Sequence, residues 1–140
     1  KRDWSSDVCS SDLSELDIGS SINLSIGTGN IPQIYIAQDY NIISLVVSNN
    51  VVSDISGDAS SATNFITFVI TGCTNLTSIS IQSAGLSSAS VNNILTNLDF
   101  YGLSNGYVDI SGGTSATTNA AGDAAIQSLV GKGWTVLVNP

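Results

Sequence analysis

Carboxylates are the side chains of this sequence with the widest chemical reach, because histidine is absent. Without imidazole there is no general base for a Ser–His or Cys–His nucleophile. Two carboxyl groups could in principle divide the acid and base roles of glycoside hydrolysis. The pairs available are Asp54 with Asp58 and Asp99 with Asp109. Asp54 and Asp58 fall in a stretch of small residues that reads as a loop, Asp99 in a helical pattern and Asp109 in a strand pattern. Such scattered acids read as solvated surface groups. Calcium at Asp39, Asp54 and Asp58 would need a dense Asp/Asn/Gly ligand loop, and the sequence has none. Zinc spacings are missing, and Gly27-Thr28-Gly29 does not continue into a nucleotide fingerprint. Cys73 sits in an apolar stretch at a turn position and reads as a small buried hydrophobe. The expectation is a chain with no catalytic residue, metal or cofactor.

What orders the sequence is a spacing. Phe65, Phe68, Ile70 and Cys73 follow the template apolar, two residues, apolar, one residue, apolar, two residues, small or Asn. Leu76, Ile79, Ile81 and Ala84 repeat it eleven positions later, and Leu86 completes it. Apolar residues two apart share one face of a strand, so Phe68 with Ile70, and Ile79 with Ile81, point inward together. Ile31, Ile34, Ile36 and Asp39 fit as well, and Ile42, Leu45, Val47, Asn50 and Val52 fit best. A weaker copy runs through Val52 and Ile55, and a partial one through Leu24 and Ile26. The first strand residues, Leu24, Ile34, Leu45, Ile55, Phe68 and Ile79, are 10, 11, 10, 13 and 11 apart. Units this short cannot bury their own apolar face and must be stacked.

Further on, Val91, Ile94, Leu95 and Leu98 have helical spacing, with Ser87 or Ser88 as cap and Gly102 as terminator. A strand over 107–111, a helix over about 121–130 and a strand over 134–138 follow. Strand, helix, parallel strand is the usual crossover.

The repeat over residues 22–86 resembles leucine-rich repeats, in particular the short bacterial kind whose period of about 21 residues holds two similar half-units. A generic β-solenoid would share the spacing. The segment from Leu86 to Asn139 is similar to the last repeats of leucine-rich-repeat surface proteins of environmental bacteria and related phage-encoded proteins. The motifs behind that likeness are Ser104-Asn105-Gly106, Ser111-Gly112-Gly113 and Gly133-Trp134-Thr135-Val136. The fold so implied is an α/β solenoid of short parallel strands, with residues 87–140 as a helix-bearing C-terminal cap.

Residues 1–13, KRDWSSDVCSSDL, resemble a translated sequencing-adaptor read-through. A common adaptor encodes Asp3 to Asp12 and runs into the Leu13 codon. On that reading they are a non-native leader, and 14–140 is one domain from the C-terminal part of a longer protein. This remainder has Lys132 as its one base against eight acids. So acidic a chain is unsuited to nucleic acid or to anionic membrane surfaces, and no apolar run reaches the ~18 residues of a membrane span.

What is left is contact. The expected outward line contains Tyr35, Ser80, Gln82, Asp109 and Ser111, short polar groups with one aromatic, suited to a protein or glycan ligand. Val46 and Val69 point outward on the opposite row, as if toward another domain, a neighbouring subunit or the missing N-terminal repeats. The resemblance implies a non-enzymatic binding or adhesion module at the cell surface or outside the cell. The alternatives are a virion structural protein, such as a tail-fibre or receptor-binding segment, and a carbohydrate-active β-solenoid.

Overall fold

The computed structural model describes residues 22–29, 31–36, 42–48, 51–58 and 65–140. They form an α/β fold of eight parallel strands in two sheets and two helices. In chain order these are β1 (Ile22–Ile26), β2 (Gln33–Ile36), β3 (Ile42–Ser48), β4 (Asp54–Asp58), β5 (Thr67–Thr71), β6 (Ser78–Gln82), α1 (Ser88–Tyr101), β7 (Tyr107–Asp109), α2 (Ala120–Gly131) and β8 (Thr135–Leu137). Successive strands alternate between the sheets. Sheet 1 has the order β1-β3-β5 and sheet 2 the order β2-β4-β6-β7-β8.

The two-residue periodicity sets the register. Leu45 lies opposite Phe68 and Val47 opposite Ile70 in sheet 1. Ile34, Ile55, Ile79, Val108 and Val136 line up across sheet 2. The inward faces meet in one core. Leu45, Phe68 and Ile79 are fully buried within it, together with Phe65, Leu76, Cys73 and Ala84 at the chain reversals. Each large aliphatic or aromatic side chain buried this way contributes about 1.5–3 kcal/mol. The Cys73 thiol points at the Val47 carbonyl of the preceding layer, 3.6 Å away. Val46 and Val69 lie side by side on the other face of sheet 1, half-buried.

Three local expectations are corrected. The strand expected at Ile55 runs over Asp54–Asp58, paired with β6 throughout and with β2 as far as Gly57, so Asp54 and Asp58 do not lie in a loop. The partners override the low strand propensity of Asp, Ser and Gly. β7 ends at Asp109, because Ser111 N–H turns back to the Asp109 carboxylate. α2 runs on to Gly131, with Gly133 (φ 83) making the left-handed exit. The expected strand residues Leu16 and Ile18 and the calcium candidate Asp39 lie outside the described residues.

After β6 the chain no longer returns to sheet 1. Helix α1 takes that place, capped by Ser87, whose side chain accepts from Ser90 N–H, and closed by Gly102 at φ 72. α1 meets the free edge of β5 with polar groups. Ser90 Oγ accepts from Phe68 N–H (3.0 Å) and donates to the Ile66 carbonyl (3.1 Å). Asn93 Oδ1 accepts from Ile70 N–H, and the Tyr101 hydroxyl accepts from Cys73 N–H. The next connection repeats the device: Ser115 Oγ accepts from Leu86 N–H (3.2 Å) and donates to the Ala84 carbonyl (3.0 Å). α2 is then capped by Asn119, whose N–H donates to the Asn92 side chain of α1. Trp134 closes the core beneath it, with its indole N–H on the Leu103 carbonyl and its ring where a Cβ on Gly106 would lie. Lys132 Nζ joins the helix ends, donating to both the carboxylate and the backbone carbonyl of Asp99.

Two outcomes follow from these contacts. Ser90→Ala strips the buried Phe68 N–H of its acceptor, while the Ile66 carbonyl keeps the Ser87 N–H, and is expected to lower stability by about 1–3 kcal/mol in urea unfolding, with no change in m-value. Lys132 holds the Asp99 carboxyl below its ordinary value, with the Ser128 hydroxyl adding to the effect. A carboxyl depressed on folding gives stability that is present above its unfolded pKa, near 4, and lost as pH falls through the folded one. The stability gap between wild type and Lys132→Met, about 1 kcal/mol or less for so accessible a pair, is therefore expected to close below about pH 4.

Candidate binding face

The outward side of sheet 2 is where the sequence-predicted residues meet. Because every strand pair is parallel and in register, outward positions form straight rows across the strands. One row runs Tyr35, Ser56, Ser80, Asp109 and Leu137. The row beside it runs Gln33, Asp54, Ser78, Tyr107 and Thr135. Gln82 projects from the end of β6, next to Ser111 at the exit of β7. Tyr35, Ser80, Gln82, Asp109 and Ser111 therefore do share one face, but their roles on it differ.

Tyr35 stands clear of the surface at 61% exposure and Tyr107 is partly exposed at 36%. Asp109 was expected to be accessible, and it is 3% exposed. Its carboxylate is enclosed by donors. Gln82 Nε2 lies 2.6 Å from Oδ2 and the Tyr107 hydroxyl 3.1 Å from the same oxygen. Ser111 gives its backbone N–H (3.1 Å) and its hydroxyl (2.7 Å) to Oδ1. An ionised carboxylate only accepts, so both Gln82 and Tyr107 must turn their donors toward it. Burial, and after it the Asp109 carboxylate, push the Tyr107 phenol above its ordinary value, which keeps that donor protonated. Asp109 is thus the internal strut of the face and fixes the side chains around it.

Sequence reasoning missed Asp54, Ser56, Ser78 and Tyr107. Asp54 and Ser56 flank Ile55 at i−1 and i+1, which would have placed them outward had that weak copy been read as a full strand. Ser56 donates to the Asp54 carboxylate at 3.3 Å.

Other chemistry is sparse. Asp99 is engaged by Lys132 at the end of α1, on a different element from Asp109. Among the described residues no three acid, cysteine or histidine side chains gather in a way that could hold a metal ion. No described helix is long and apolar enough to cross a membrane. Cys73 is buried, and its sulfur is directed at the Val47 and Thr71 carbonyls.

Removing the strut is expected to cost more than removing an exposed acid. Asp109→Ala leaves up to four donors without an acceptor and should lower stability by about 2–4 kcal/mol, whereas Asp109→Asn, which keeps one acceptor oxygen, should lose less. Parallel thermal melts of the two variants measure the difference. Comparison of the chain with protein-family models, with curated proteins and with solved structures finds no match.

Proposed function

We propose that the chain is a non-enzymatic binding module, a leucine-rich-repeat-like solenoid that meets a protein or glycan partner through the outward face of sheet 2. On this reading it is the C-terminal part of a protein displayed at the cell surface or outside the cell. The repeat spacing supports the solenoid, as does the alternation of consecutive parallel strands between two sheets around one core.

The observation that carries the functional reading is the contrast between the inward and outward rows of sheet 2. The inward row is uniformly aliphatic, as packing demands. The outward rows hold side chains that the fold has no use for: Tyr35 largely exposed, and a run of serines beside it. Asp109, the best-placed acid on that face, is saturated by fixed donors and has no second carboxyl group opposite it in the register. A rigid carboxylate with no partner of its own kind suits a contact surface better than the two-carboxylate arrangement of glycoside hydrolysis.

Ser80 lies at the middle of the face, and Ser80→Arg places a long cation across it without touching the core. On a panel of immobilised glycans and surface proteins, retention of the wild-type chain is expected, with loss by at least about tenfold in the variant at unchanged melting temperature. Release of sugar products from any glycan, abolished in Asp109→Asn, would instead establish an enzyme.

A further inference from the structure

We draw no further inference here: the strongest candidate, the apolar patch on the outer side of sheet 1 where Val46 and Val69 lie side by side and Ile43 and Ile66 are exposed, is an unpartnered surface, and nothing in the structure shows what covers it.

Discussion

A strand at the end of a parallel sheet leaves a row of amide and carbonyl groups facing outward, and the whole structure turns on how β5 disposes of its own. Sheet 1 stops there, yet the core continues, so something other than a strand must cover the edge while still offering hydrogen-bonding groups at strand spacing. An α-helix cannot do this with its backbone, whose groups are bonded along its own axis. α1 does it with side chains. Ser90 Oγ accepts the Phe68 amide proton and donates to the Ile66 carbonyl, the N–H and C=O that a further strand of sheet 1 would have engaged. Asn93 and Tyr101 serve the next amides along the edge. Ser115 repeats the Ser90 geometry one layer further on. A hydroxyl is the smallest group that both donates and accepts, which is why serine stands at both positions.

That substitution divides the molecule into two unlike halves. On one side the strands give way to helices whose apolar residues, Val91, Ile94, Leu95, Leu98, Ala125 and Leu129, fill the core. On the other side sheet 2 runs on without interruption to β8, because each helix returns the chain to a parallel strand in register with the last. Trp134 over Gly106 and the Asn139 side chain, bonded to both backbone groups of Gly112 and to the Ser115 carbonyl, hold the final layer to the one before it. The continuous outward face of sheet 2 is therefore a product of the helices opposite it. They let the chain keep adding strands to one sheet only.

The inward residues were legible because burial imposes a period. Branched residues two apart, as at Leu45 and Val47 or Ile79 and Ile81, marked strands β3 and β6, and the change from a two-residue to a helical period at Val91 located α1. Legibility failed where long-range partners decide. Ile55 marks a strand at β4, but Ser56, Gly57 and Asp58 argue for a loop, and it is the neighbouring strands, with Ile36 lying where a Cβ on Gly57 would be, that carry the strand on to Asp58. Ser90 and Ser115 look like ordinary polar residues at helix and loop positions, since the groups they serve lie 22 and 29 residues earlier. Asp109 was placed on the correct row from its spacing alone. Its burial was not legible, because it comes from Gln82, 27 residues away in the chain, and from Tyr107 leaning along its own strand.

The burial of Asp109 bears on what a face of this kind can do. Exposed Gln and Tyr side chains ordinarily lose rotamer freedom when they bind, at a cost of about 0.5–1.5 kcal/mol each. Here both are already tied to a carboxylate that is itself locked by the Ser111 amide and hydroxyl. Ser56, Ser78 and Ser80 have little side-chain freedom to lose. A surface whose polar groups are fixed before contact loses little on association. Asp109, one of four acids that the sequence put forward only as a possible carboxylate pair, is held by four donor groups and serves its neighbours as scaffolding.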